Sequence, residues 1–252
     1  MSSRFAGTTA VVTGASRGIG LAVAQRLVDD GARVVVTGRT KEALDEAVEQ
    51  LGGPEHALGV AGRVDDPAHQ DEVIRIAISS FGSLDFLVNN TGINPAYGPM
   101  VELDLDTARK VVEVNCIAAL SWVQKAHRAW LGVHGGAIVN VSSLTSMRTA
   151  PNIGFYGATK AMLNAVTKSL AVELGPDVRV NAVAPAVVKT RFAAALYEGR
   201  EDEATRDYPL RRLAVPEDIS GVVAFLLSSD ADWITGHTVV VDGGISLTVG
   251  GQ

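Results

Sequence analysis

The sequence predicts an α/β fold built on a doubly wound, seven-stranded parallel sheet with helices on both faces. Two observations carry this. Short β-branched runs alternate with longer stretches of helical period, and the runs are apolar at successive positions rather than at every second one. Strands apolar on both faces belong to a sheet covered on both sides, and strand–helix alternation imposes right-handed crossovers between parallel strands. With 252 residues and 47% hydrophobic content, the chain is large enough for one substantial core, so we expect a single domain over residues 1–252.

The elements follow in order. Strands are expected at residues 9–12, 33–37, 57–60, 84–88, 137–141, 179–183 and 238–241. Helices are expected at residues 19–29, 41–51, 68–80, 105–131, 155–174 and 216–227. Gly31 closes the first helix, and Gly52-Gly53-Pro54 closes the second, as a C-terminal glycine and a following proline do. Residues 187–215 carry no strand and include the charged segment GREDEATRDYPLRR. An insertion of this length before the last strand is expected to be a mobile lid.

Composition excludes several function classes. Net charge is −6 and no basic block occurs, so neither a nucleic-acid nor an anionic-membrane partner is expected. Cys116 is the one cysteine, which rules out an intramolecular disulfide and suits a reducing compartment. The five histidines have no ligand spacing, so no metal is expected. The N-terminus does not read as a signal peptide and no apolar run reaches membrane-spanning length. A cytoplasmic location is the expectation.

The first strand runs into Thr13-Gly14-Ala15-Ser16-Arg17-Gly18-Ile19-Gly20 and then into a helix. Glycines here let the backbone turn sharply and approach a pyrophosphate, while the helix offers free N–H groups and the positive end of its dipole. Later in the chain, Tyr156 and Lys160 stand four apart in a helical segment and so share one face. Ser143 ends the fifth strand.

These residues resemble the short-chain dehydrogenase/reductase family. The turn has that family's TGxxxGxG spacing. Likeness extends to Asn89-Asn90-Thr91-Gly92, to Asn115, to Ser143 with Tyr156 and Lys160, and to Ile234-Thr235-Gly236 with Val241-Asp242-Gly243-Gly244. It spans nearly the whole chain, and is greatest to the 3-oxoacyl-[acyl-carrier-protein] reductases. The resemblance implies a single-domain Rossmann fold, a nicotinamide dinucleotide, and catalysis by Asn115, Ser143, Tyr156 and Lys160. It places Gly14, Ser16, Gly18, Ile19 and Gly20 at the pyrophosphate, and Val64 near the adenine. Asn90 and Gly92 fall on the cofactor's path, with Pro185, Val188 and Thr190 at its nicotinamide end. It also implies a homotetramer. Two departures stand out: Arg63 replaces the family's usual acid before Val64, and Ala186 follows Pro185 where glycine is common.

The second strand ends Thr37-Gly38-Arg39 with no carboxylate to grip a ribose 2′-hydroxyl. Arg39, with Arg17, suits a 2′-phosphate, so NADP(H) is preferred, with NAD(H) the alternative. Reducing a ketone takes a hydride from the nicotinamide and a proton for the developing alkoxide. Tyr156 can give that proton if its pKa, ordinarily near 10, is lowered by the Lys160 ammonium and the oxidised nicotinamide. Ser143 is the expected second donor to the substrate oxygen. In the resemblance Asn115 holds a water linking the lysine to solvent.

The cleft is expected between residues 93–100, 144–155 and the lid, lined by Asn94, Pro95, Thr145, Met147, Ile153, Phe192 and Leu196. Its mixed-to-apolar character fits a small-molecule ketone or acyl-thioester substrate. Docking of an acyl carrier protein is less assured, because residues 131–134 and 175–177 lack the basic side chains that would meet one. Two alternatives remain: an NAD(P)-dependent alcohol, steroid or sugar dehydrogenase, and a catalytically silent dinucleotide-binding sensor or scaffold.

Overall fold

A computed structural model of the protein describes residues 4–248. Its centre is one seven-stranded sheet, β1 (Thr9–Val12), β2 (Arg33–Gly38), β3 (Ala57–Ala61), β4 (Phe86–Asn89), β5 (Gly136–Val141), β6 (Val178–Pro185) and β7 (Thr238–Val241). The spatial order is β3-β2-β1-β4-β5-β6-β7 and every pairing is parallel. The expected strands are all present; β6 runs two residues further, to Pro185.

Helices α1 (Gly18–Asp29), α2 (Lys41–Gln50) and α3 (Pro67–Phe81) follow the first three strands. Asp66 caps α3 by accepting from the Ala68 amide at 2.9 Å, and Gly82 ends it in the left-handed region at φ 87°. The expected helix over residues 105–131 is interrupted. It comprises α4 (Leu105–Val112), a π-helical turn Glu113–Ile117, α5 (Ala118–Ala126), a second π turn His127–Leu131, and the short α6 (Gly132–His134). Helix α7 (Gly154–Leu174) precedes β6, the short α8 (Glu201–Thr205) lies in the insertion, and α9 (Pro216–Leu227) leads toward β7.

Strand alternation sorts the core into two layers. Val34, Val36, Val139 and Val183 face one way, against Val23 and Leu27 of α1 and Ile219 and Val223 of α9. Val35, Leu87, Ile138 and Val180 face the other, against Val73 of α3, Trp122 of α5 and Leu170 of α7. Both faces are buried, which is why the strands read as continuous apolar runs. No helix of the described residues is long and apolar enough to cross a membrane.

Consecutive strands first step one way from β1 and then the other way from β4. The crevice at the carboxyl ends of β1 and β4, where connections diverge, is where this architecture binds ligands. Residues 187–215 form no strand but are pinned at both ends by a parallel bridge between Val188 and Ala214.

Candidate active site

The glycine turn sits at that crevice. Gly14 and Gly18 have φ +64° and +59°, a region that favours glycine. Space is equally restrictive. A Cβ on Gly14 would lie 2.7 Å from Thr91 Oγ1, one on Gly20 2.5 Å from Asn90 Nδ2, and one on Gly18 3.3 Å from Thr190 Cγ2. The turn therefore meets the end of β4 on one side and the start of the insertion on the other. Helix α1 begins at Gly18 with no side-chain cap and no acid in its first turn, leaving its N–H groups free for an anion. Ile19 packs against the core beneath. These features fit a dinucleotide pyrophosphate.

Asn90 donates from Nδ2 to the carbonyls of Thr13 and Gly14, at 2.9 and 3.1 Å. Its side chain thus holds the turn in shape. Asn89 donates to Asn140 Oδ1 at 3.0 Å, and Asn140 donates to Thr167 of α7 at 2.9 Å. A buried polar relay therefore crosses from β4 through β5 to α7.

At the end of β2, Ser16 packs against Gly38: a Cβ on Gly38 would lie 3.3 Å from Ser16 Oγ. Arg17 and Arg39 are both exposed, and neither has an ion-pair partner among the described residues. The Val64 carbonyl accepts from Gln70 Nε2 and Trp122 Nε1, at 2.8 and 3.0 Å, which leaves its amide as the group it can offer a ligand. Arg63, in the place of the family's acid, pairs with Asp65. Pro185 ends β6, Val188 is buried, and Thr190 donates back to the Val188 carbonyl at 3.3 Å.

The four expected catalytic side chains converge. Lys160 is 2% exposed and donates from Nζ to the Val141 carbonyl at 2.9 Å. Its ammonium lies 5.7 Å from the centre of the Tyr156 ring. Ser142 turns inward to the Lys160 carbonyl, at 3.2 Å, while Ser143 Oγ accepts from the Thr145 amide and hydroxyl, at 3.2 and 2.9 Å. This separates the two adjacent serines: Ser143 faces the site. Asn115 sits in the π turn, which accounts for a residue poorly suited to a helix interior. The widened turn aims its side chain at Ile93, exchanging bonds with both N and O, and at Thr159 Oγ1, 3.0 Å away. A Cβ on Gly92 would lie 3.1 Å from Lys160 Nζ and 3.6 Å from Asn115 Oδ1, so Gly92 leaves the lysine and asparagine uncovered.

Burial pushes the Tyr156 hydroxyl up to about 12, partly offset by the nearby Ser143 hydroxyl. Burial also lowers the Lys160 ammonium to about 8. Desolvation is the largest influence on both groups, and the protein's own groups hold Tyr156 protonated.

Two residues of the site were missed in the sequence. Gly157 lets α7 approach the serine loop, since a Cβ there would lie 2.6 Å from the Thr145 carbonyl. A glycine inside a long helix was the available signal, because it costs about 1 kcal/mol relative to alanine. Thr159 joins Asn115 to the Tyr156 carbonyl, to which it donates at 2.8 Å. Beside Tyr156, Asn94, Met100, Ile153 and Phe155 line a small recess, and the Phe192 ring stands 6.1 Å from the tyrosine ring.

A family described as enoyl-(acyl carrier protein) reductase matches residues 14–246. The chain is 39% identical over 250 residues to dehydrogenase/reductase SDR family member 4 of Caenorhabditis elegans, covering 96% of each. The chain belongs to the short-chain dehydrogenase/reductase family. Among solved structures of the family, a Brucella melitensis short-chain dehydrogenase/reductase described as a glucose/ribitol dehydrogenase superposes with TM-score 0.92. It is 33% identical, with 97% of this chain and 99% of that one covered. A blue fluorescent protein from a metagenomic library, solved with NADPH, gives TM-score 0.88 at 33% identity, covering 96% and 99%. Family membership brings NAD(P)-dependent oxidoreductase chemistry on small molecules.

Proposed function

We propose that the protein reduces a ketone to a secondary alcohol with NADPH, with Tyr156 as proton donor. The convergence of Ser143, Tyr156 and Lys160 beneath the glycine turn carries this reading. NADPH, when bound, supplies the hydride. Gly14, Ser16, Gly18, Ile19 and Gly20 would hold its pyrophosphate, the Val64 amide its adenine, and Asn90 and Gly92 the path between. Pro185, Val188 and Thr190 would meet the nicotinamide end, together with Tyr156 and Lys160. Arg17 in the glycine turn and Arg39 just past β2, a strand that lacks a carboxylate, have no ion-pair partner among the described residues and support a 2′-phosphate and hence NADP(H) over NAD(H). The NADPH complex of the metagenomic relative agrees with that preference.

Ser143 orients the substrate carbonyl and stabilises its developing charge, and Tyr156 delivers its proton to the same oxygen. Lys160 keeps a positive charge beside the phenol as the proton leaves, and Asn115 and Thr159 fix the helix turns that hold the pair. The substrate we favour is a 3-oxoacyl thioester or similar ketone, because Met100, Ile153, Phe155 and Phe192 make the approach to Tyr156 largely apolar. We place this reaction in a cytoplasmic homotetramer of single-domain subunits, with residues 187–215 as the lid. An alternative, oxidation of a sugar or other alcohol, draws on the glucose/ribitol description of the Brucella relative.

The test is NADPH oxidation with 3-oxoacyl thioesters, β-ketoesters and simple ketones, beside Tyr156→Phe. We expect turnover with at least one ketone and a loss of about 10²–10⁴-fold in the variant, with NADPH binding kept. No turnover by cofactor-binding enzyme, or an active Tyr156→Phe, refutes the proposal. Light scattering tests the tetramer, and a monomer overturns it.

A further inference from the structure

Arg148 lies just past the 3₁₀ turn Leu144–Ser146 that follows Ser143, and none of the chemistry above uses it. Its Nη1 donates to the Ile245 carbonyl at 2.7 Å, 97 residues further along the chain. Ile245 belongs to a turn built by Asp242, whose carboxylate accepts from the Gly244 and Ser246 amides, both at 2.9 Å. That turn is packed into the end of the insertion. A Cβ on Gly244 would lie 2.7 Å from Pro209, one on Gly243 3.2 Å from Tyr208, and Leu210 N donates to the Gly243 carbonyl at 3.3 Å.

Tyr208 closes the circuit. It is 7% exposed, and its hydroxyl accepts from the Val187 amide, at 3.4 Å, at the root of the insertion. The Arg148 and Asp242 charges both act on that hydroxyl, with opposite sign. Three separate pieces of chain, the serine loop, the C-terminal turn and both ends of the insertion, therefore meet at one knot. Phe192, carried by the insertion, is the wall facing Tyr156.

We propose that Arg148 is a positioning residue that sets the width of the substrate cleft. It holds the serine loop and the Phe192-bearing insertion in one register, through the C-terminal turn and Tyr208. The prediction about substrate size rests on the ketone-reductase reading; the coupling itself does not.

The experiment compares wild type, Arg148→Ala, Arg148→Lys and Tyr208→Phe, each saturated with NADPH. Hydrogen exchange is followed at residues 187–215, and KM and kcat are measured over ketones of increasing bulk. Arg148 makes no bond to Val187, so a local brace leaves that amide alone. Coupling predicts that Arg148→Ala speeds exchange of the Val187 amide about tenfold, as expected for losing one charge-assisted bond. Arg148→Lys should recover part of that loss, and Tyr208→Phe should copy it. For bulky ketones KM should change about tenfold, with kcat held within about twofold. Exchange that rises only at residues 144–153 and 245–248 overturns the proposal, as does a KM that moves equally for every ketone. If no ketone is turned over by wild type, the functional reading falls, and Val187 exchange still decides the role of Arg148.

Discussion

Lys160→Met should make the protein more stable, by an amount that depends on pH. Burial lowers the Lys160 ammonium from 10.5 to about 8. One pKa unit is about 1.4 kcal/mol, so keeping this charge in its buried site costs about 3 kcal/mol wherever it is protonated in both states. The folded pKa is the lower one. Below pH 8 the cost is present in full. Between 8 and 10.5 the unfolded chain binds more protons than the folded one, so wild-type stability rises with pH, and above 10.5 the cost is gone. Methionine fills similar volume without the charge but gives up the charge-assisted bond to the Val141 carbonyl, about 1.5 kcal/mol. The net gain near neutral pH is about 2 kcal/mol, or about 4–8 °C in Tm for a chain of this size. Urea unfolding of both proteins at neutral pH and near pH 10 measures it. A wild type equal to or more stable than Lys160→Met at neutral pH refutes the reasoning, as does a gap that does not close at high pH. The same substitution should abolish reduction, separating what the lysine does for the fold from what it does for the chemistry.

With Lys160 near 8, kcat/KM for ketone reduction should be flat below pH 8 and fall above it as the ammonium loses its proton; a profile rising to pH 10 contradicts this. Gly157→Ala puts a methyl 2.6 Å from the Thr145 carbonyl and should push the Ser143 loop off α7, lowering kcat about 100-fold while NADPH binding survives; unchanged kcat refutes the close-approach role. Asn140→Ala removes one bond each from buried Asn89 and Thr167, which keep those to the Ala119 and Leu163 carbonyls, and should cost about 1–3 kcal/mol in urea unfolding, whereas a neutral change would deny the relay a structural role. Arg17→Ala with Arg39→Ala should weaken NADPH binding about 10–100-fold and leave NADH within about threefold, and equal losses for both cofactors would remove the 2′-phosphate assignment.

The sheet was legible because its central strands are buried on both faces. Runs such as Val34–Val35–Val36 send side chains to both layers and have no polar position to confuse the period. The glycine turn was legible for a different reason, since a backbone that must adopt positive φ at Gly14 and Gly18 admits few other residues. Tyr156 and Lys160 were visible through helical spacing together with the family resemblance around them. What the sequence hid is what depends on distant partners. The π turn at Asn115 is chosen by Ile93 and Thr159, which lie 22 and 44 residues away, and propensity reads a plain helix there. The rise of Tyr156 in the protein alone reflects desolvation, which requires the packing around it and leaves no mark in the sequence. The tie from Arg148 to Ile245 spans 97 residues and leaves no local pattern.

The divide between β1 and β4 has a consequence for how such a protein can be altered. Arg17, Arg39 and Val64 hang from the β1–β3 half, while Ser143, Tyr156 and Phe192 hang from the half that starts at β4. Asn90 stitches the halves together through Thr13 and Gly14. Cofactor preference and ketone preference are therefore separable traits, each tunable from its own side of the seam. Free-energy effects of substitutions at Arg39 and Phe192 should add when combined, whereas a change at Asn90 should disturb both at once.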